Sequence, residues 1–339
     1  MRTQRVRADP HADAAVETIA TKTLALFAGR SHPALAEEVA AELGVRLNAV
    51  ELRTFRDGEI YCRFQESVRG KDVFVLQAMA APVNDNVVEH FIMIDALKRA
   101  SATQVTAITP YYPYARQDKK SRSREPITAR LIANMYETAG IDRLVSVDLH
   151  AGQIQGFHSS PLDHLTALPL LSDYVEAHVD GDLTIVSPDT GRVRTAEKFG
   201  QRLQAPIAFL HKARSREQAH KVEMLEIVGD VEGRTCILVD DMIATGGTIV
   251  TAAELLLARG ATRVWAAATH AIFAGDAIRA LEDSPIERVV VTNTLPLPPE
   301  RRFAKLEVIS VARLIADAIQ AIFDETSVSE ISDGLNERF

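Results

Sequence analysis

Short apolar runs recur along this chain at residues 23–29, 73–76, 105–108, 144–147, 184–186, 207–210, 236–239, 264–267 and 289–291. Each is too short for a buried helix and rich in Val, Ile, Leu or Ala, which reads as a strand buried on both faces. Amphipathic stretches separate most of them. Residues 33–43 read as one helix and residues 249–259 as another, and Leu131, Ile132 and Met135 are expected on one helical face. Strands alternating with helices predict crossover units and a mainly parallel sheet, an α/β protein.

The same beat of strand, polar loop and helix fills both halves of the chain, which predicts two similar α/β domains. The turn-forming segment His158-Ser159-Ser160-Pro161 places the boundary near residue 162. The expected partition is a loose extension over 1–20, a first domain over 21–162, a second over 163–323, and an acidic tail over 324–339 whose end is mobile.

Composition narrows the function classes. At 339 residues the chain is comfortable for two domains. A formal charge of -8 argues against nucleic acid as a partner, because such binding is dominated by phosphate-neutralising cations. A small phosphorylated ligand needs only a local set of donors. Cys62 and Cys236 lie far apart in strand-like runs, so free thiols and a reducing compartment are expected. With no bilayer-length apolar run and no signal-peptide core, the expected location is the cytoplasm, away from membranes.

The sharpest local signal runs from Cys236 to Val250. A strand ends in Asp240 and Asp241, passes Thr245-Gly246-Gly247-Thr248, and enters a helix. Such a loop can close backbone amides around a phosphate, with the helix N-terminus favouring the anion. The two acids suit a vicinal diol, as on a ribose. The competing reading is a helix merely capped by Thr248 beside a solvated acidic pair. No Walker A loop and no Gly-x-Gly-x-x-Gly strand-to-helix turn is present.

This segment resembles the 5-phosphoribosyl-1-pyrophosphate loop shared by phosphoribosyltransferases and ribose-phosphate pyrophosphokinases. Five further segments resemble the pyrophosphokinases, in that family's order and across residues 24–328. Phe55-Arg56-Asp57-Gly58-Glu59 is similar to an adenine-recognition hairpin: a ring to stack, an acid for an exocyclic amine, and a glycine for the turn. In the segment from Tyr114 to Lys120, Arg116 and Gln117 are implied to bind ATP, and Ser123 and Arg124 beyond it become a candidate effector site. In Ser146–Gly152, His150 is implied to contact the ATP phosphates and their metal. In Ser187–Gly191, Asp189 is implied to hold Mg²⁺. In His211-Lys212-Ala213-Arg214, Lys212 and Arg214 are implied to stabilise the transferring group, with residues 215–223 as a closing loop.

The resemblance thus implies two phosphoribosyltransferase-like domains and transfer of the β,γ-pyrophosphoryl group of ATP to ribose 5-phosphate. Lys212, Arg214 and His150 would be catalytic, and Asp240, Asp241, Thr245, Gly246, Gly247 and Thr248 would hold the sugar phosphate. It further implies Mg²⁺, homo-oligomers built from dimers and commonly hexameric, and phosphate and ADP as effectors. Three positions depart from the family pattern. Ala244 stands where a third acid is usual, Arg192 where many members have glycine, and His158 replaces a commoner aromatic. Ala244 keeps a non-catalytic regulatory homologue open as an alternative, and a phosphoribosyltransferase is the other.

Overall fold

The computed structural model describes residues 22–214 and 223–332; for residues 212–214, 223–225 and 332 it describes the backbone alone. The expected extension over 1–20, all but the end of the closing loop, and the tail beyond 332 lie outside the described residues.

The first half runs β1 (Leu24–Ala28), α1 (Pro33–Glu42), β2 (Val50–Thr54), β3 (Ile60–Phe64), β4 (Asp72–Leu76), α2 (Val83–Arg99), β5 (Gln104–Ile108), α3 (Thr128–Ala139), β6 (Arg143–Val147), β7 (Leu162–Leu165) and α4 (Leu168–His178). The second half repeats that order: β8 (Leu183–Ser187), α5 (Val193–Leu203), β9 (Ile207–Arg214), β10 (Glu223–Val228), β11 (Thr235–Ile243), α6 (Gly247–Ala258), β12 (Arg263–Ala271), α7 (Ala277–Asp283), β13 (Arg288–Thr292), β14 (Leu306–Ile309) and α8 (Ala312–Phe323). Strand order repeats too. The first sheet is β1-β4-β5-β6-β7, all parallel, and the second contains β8-β11-β12-β13-β14, also parallel. The expected duplication is therefore present element by element.

The halves differ at their hairpins. β2 and β3 form a separate antiparallel pair, whereas β9 joins the second sheet beside β8 and carries β10 along its edge.

Alternate residues of each buried strand feed two faces. On the first sheet, Phe27, Val75 and Val105 pack with Met93 and Ile94 of α2 and Ile132 and Tyr136 of α3. The opposite face, with Leu26, Phe74 and Val145, is covered by α1 and by α8, whose Ile315, Ile319 and Ile322 are buried there. The second sheet mirrors this: α6 and α7 cover one face, while α5 and α4 cover the other, where Leu171 and Val175 meet Ile185, Val239 and Trp265. Each half thus sends its last helix onto the sheet of the other.

Two expectations change accordingly. The turn at 158–161 lies between β6 and β7 of one sheet, and the passage between halves comes after α4, so a cut at 162 falls inside the first sheet. The final helix also belongs to the first core rather than the second. The start of the acidic tail is tied down, with Glu325 paired to Lys22 at 2.8 Å and Val328 and Ile331 packed on the first core. On α3, Ile132 is buried but Leu131 and Met135 are exposed, at 54% and 38%. The buried stripe is Ala129, Ile132, Ala133 and Tyr136. Among the described residues no helix is long and apolar enough to cross a membrane.

The β11–α6 connection differs from the capped-helix alternative. Gly246 is the N-cap, with φ of 78°, no side chain caps the helix, and Thr248 lies inside it. A positive φ there favours glycine.

Two predictions follow from this packing. Ile319→Ala should destabilise the protein by about 3 kcal/mol, the usual scale for a buried large-to-small change. Hydrogen exchange should show the loss in β1 and β4, more than 200 residues earlier in the chain, and a loss confined to the second half would contradict the exchange of helices. In urea unfolding, Gly246→Ala should cost roughly 1–2 kcal/mol for its left-handed backbone. Gly247→Ala, which meets open space, should stay within about 0.5 kcal/mol.

Candidate functional site

The carboxy ends of both sheets face a shared cleft, where open α/β sheets bind ligands. A cavity of about 570 Å³ opens there, with Arg116 from the β5–α3 loop, His150 after β6, Asp189 and Arg192 from the β8–α5 loop, and Asp240 and Asp241 on β11. Residues from segments far apart in the chain, and from both halves, thus meet in one place.

At the centre is a four-membered cluster. His150 Nδ1 lies 2.7 Å from Asp241 Oδ2, Arg192 Nη2 lies 2.8 Å from the same oxygen, and Arg192 Nε lies 3.4 Å from Asp240 Oδ1. Arg192 Nη2 is also 2.6 Å from His150 Nδ1. One imidazole nitrogen cannot donate to the carboxylate and accept from the guanidinium at once. The consistent arrangement has both nitrogens donating to Asp241, the close nitrogen–nitrogen approach following from the shared oxygen.

The adjacent carboxylates are pushed apart in acidity. Burial raises Asp240 to about 8, helped by its Asp241 neighbour, while the Arg192 charge opposes the shift. Burial also raises Asp241, but the His150 hydrogen bond and the Arg192 charge outweigh it, so its carboxyl sits below the ordinary range. β11 runs on to Ile243, two residues beyond the acids expected to end the strand.

The loop at Asp189 is locally determined. Asp189 Oδ1 accepts from the backbone amides of Gly191 at 2.7 Å and Arg192 at 3.2 Å, which fixes the entry to α5. Asp148, just before the His150 turn, has φ of 38°. Its Oδ2 accepts from Thr269 Oγ1 at 2.6 Å and from Ala167 N at 2.9 Å, and its carbonyl oxygen lies 3.1 Å from His270 Nε2. Contacts from both halves thus over-determine a strained backbone.

Other expected residues lie elsewhere. Phe55, Asp57 and Glu59 form the tip of the β2–β3 hairpin, closed by Phe55 N to Glu59 O at 2.8 Å, and do not line this cavity. Phe55 is 45% exposed and meets Tyr61 edge to face. Gln117 accepts from Thr128 Oγ1 at 2.5 Å and also stands off the cavity, as do exposed Ser123 and Arg124. Thr245, Gly247 and Thr248 are exposed on the uncapped α6 turn, Gly246 is buried beneath them, and none lines the cavity. β9 carries the backbone of Lys212 and Arg214; their side chains lie outside the described residues.

Sequence reasoning missed Asp118, buried in the cavity wall against Gln153, and Arg194 and Lys198 of α5, which also face the cavity. Their signal was available: basic residues at 192, 194 and 198 cluster at one helix start. His158 sits beside Tyr112, its Nε2 3.1 Å from the phenol oxygen, with burial lowering it to about 4.

Comparisons with known proteins identify the family. Residues 24–140 match the N-terminal domain of ribose phosphate pyrophosphokinase, and residues 216–332 match the phosphoribosyl synthetase-associated domain. A ribose-phosphate pyrophosphokinase from Streptomyces avermitilis is 52% identical over 319 residues, covering 94% of this chain and 98% of that protein. One from Mycobacterium tuberculosis is 52% identical over 315 residues, covering 92% and 97%. The crystal structure of phosphoribosylpyrophosphate synthetase from Mycobacterium smegmatis superposes with a TM-score of 0.85 at 53% identity, covering 89% of this chain and 99% of that one. With cavity, duplication and full-length similarity in agreement, this chain belongs to the ribose-phosphate pyrophosphokinase family.

Proposed function

We propose that this protein transfers the β,γ-pyrophosphoryl group of ATP to the 1-hydroxyl of ribose 5-phosphate, releasing 5-phosphoribosyl 1-pyrophosphate and AMP. The observation that carries the reading is the convergence of Arg116, His150, Asp189, Asp240 and Asp241 on one cavity, in a chain about half identical throughout to ribose-phosphate pyrophosphokinases.

The uncapped amides of the Thr245–Thr248 turn are suited to the sugar 5-phosphate. Asp240 and Asp241 accept hydrogen bonds from the ribose diol and hold the 1-hydroxyl in line with the β-phosphorus. That oxygen bonds to the β-phosphorus as the bond from that phosphorus to the α,β-bridging oxygen breaks, AMP leaves with that oxygen, and the hydroxyl proton passes to solvent. Arg116 and Gln117 engage the nucleotide, and Lys212 and Arg214 stabilise the group in transit. Little covalent work falls to the chain, so positioning and charge neutralisation carry the rate.

Among the described residues no three His, Cys, Asp or Glu side chains form a metal cage. His150 and Asp189 nevertheless face the same cavity, and Asp189 Oδ2 takes no part in the turn that fixes Oδ1. That sparse donor set fits Mg²⁺ brought by a nucleotide, since this ion keeps most of its waters and phosphate oxygens. When bound, Mg²⁺ supplies charge neutralisation on the phosphates.

The Phe55, Asp57 and Glu59 hairpin would take the adenine. Its position off its own chain's cavity suits a homo-oligomer in which one copy's hairpin serves another's cleft, and the family resemblance makes that assembly dimer-based, up to a hexamer. Ser123 and Arg124, on the exposed loop, would answer to phosphate and ADP. Both cysteines are free, with burial holding Cys62 up at about 11 and Cys236 at about 12, which suits a reducing cytoplasm.

Ala244 favours one second reading, a regulatory homologue that binds nucleotide without turnover. Incubation with ATP, Mg²⁺ and ribose 5-phosphate decides between them: AMP should appear only when all three are present, and its absence would leave the regulatory reading. In the active protein, Lys212→Ala should lower kcat by about 10²-fold with little change in either KM, the pattern of a transition-state contact. An unchanged kcat would remove Lys212 from the catalytic set.

A further inference from the structure

Arg192 joins parts of the cleft that the chain supplies separately. Its backbone amide is fixed by Asp189 Oδ1 at the start of α5. Its side chain, 17% exposed, lies across the cavity toward β11. From there it reaches Asp241 Oδ2 at 2.8 Å, Asp240 Oδ1 at 3.4 Å and His150 Nδ1 at 2.6 Å. Asp240 and Asp241 belong to the strand proposed to take the sugar diol, and Asp241 Oδ2 is also held at 2.7 Å by His150 of the other half.

Asp240 Oδ1 accepts from the Asp241 amide at 2.8 Å and Asp241 Oδ2 lies 2.7 Å from His150 Nδ1, and the Arg192 guanidinium is the side chain that spans both carboxyls. A guanidinium engages both through a rigid fork, which an ammonium cannot reproduce. α5 does not need this side chain for packing, because Ala196, Phe199 and Gly200 bury the helix. Asp240 Oδ1 and Asp241 Oδ2 face the guanidinium, and the two carboxyls also share a hydrogen bond with each other.

We propose that Arg192 is a positioning residue that clamps Asp240 and Asp241 to each other, while His150 holds Asp241 from the other half, so that the seat for the ribose diol is preformed before the sugar arrives. The inference rests on the proposed function and deepens it by assigning part of the sugar selectivity to a residue outside the phosphate loop. Arg192 acts through the two acids, and its effect belongs to ribose 5-phosphate rather than to ATP.

The test compares wild type with Arg192→Ala and Arg192→Lys in the full chain, by AMP formation, by calorimetric titration with ribose 5-phosphate, and by thermal unfolding. For Arg192→Ala, KM and Kd for ribose 5-phosphate should rise by about tenfold or more while the KM for MgATP stays within about threefold. Arg192→Lys should fall between, because it restores the charge without the fork. Melting temperatures should agree within about 2 °C. A Kd for ribose 5-phosphate within about twofold of wild type, or equal weakening of both substrates with a lowered melting temperature, would overturn the clamp. A wild type that binds ribose 5-phosphate but forms no AMP would overturn the proposed reaction instead, and the Kd comparison would still judge Arg192. A wild type that binds no ribose 5-phosphate would overturn both.

Discussion

Two strand-end side chains direct the course of the chain around the cleft. Asp148, after β6, accepts a hydrogen bond from Ala167 N, and Asn293, after β13, accepts one from Val311 N at 2.8 Å. Ala167 and Val311 are the residues from which α4 and α8 start, the two helices that leave their own sheet for the other. Each contact satisfies a donor that departing backbone would otherwise bury unpaired. With both helices crossed, each half is packed onto the other, and His150 of one half lies within hydrogen-bonding distance of Asp241 of the other.

Much of the fold was legible because buried parallel strands announce themselves as apolar runs. The boundaries failed where chemistry begins. β9 reaches Arg214 and β11 reaches Ile243, beyond the apolar runs at 207–210 and 236–239, because the carboxy end of a parallel strand serves a ligand instead of a core. Leu131 and Met135 were misread since an apolar side chain on a helix does not say which way the helix is turned. Amphipathicity likewise gives α8 a buried face without naming the sheet that receives it.

The site itself was legible residue by residue and not as an assembly. Asp240, Asp241, His150 and Asp189 stand out as polar residues at strand ends. Arg192 registers in the sequence only as a departure from a pattern, because its partners lie 42 and 48–49 positions away along the chain. The acids show why the assembly matters. On consecutive residues, burial leaves Asp240 at about 8 while Asp241 is held low, and the difference comes from which of them shares His150 and the close guanidinium nitrogen.

The crossed helices also separate chain order from solid shape. Taken strand by strand, either half is an unfinished object, with one sheet face only partly covered and one helix extended toward a neighbour it does not contain. Two such objects complete each other only by mutual embrace, the relation between subunits that have traded arms. In this protein both partners lie on one polypeptide, and the four residues at 179–182 are all that turns a traded-arm pair into a single molecule with one cleft at its waist.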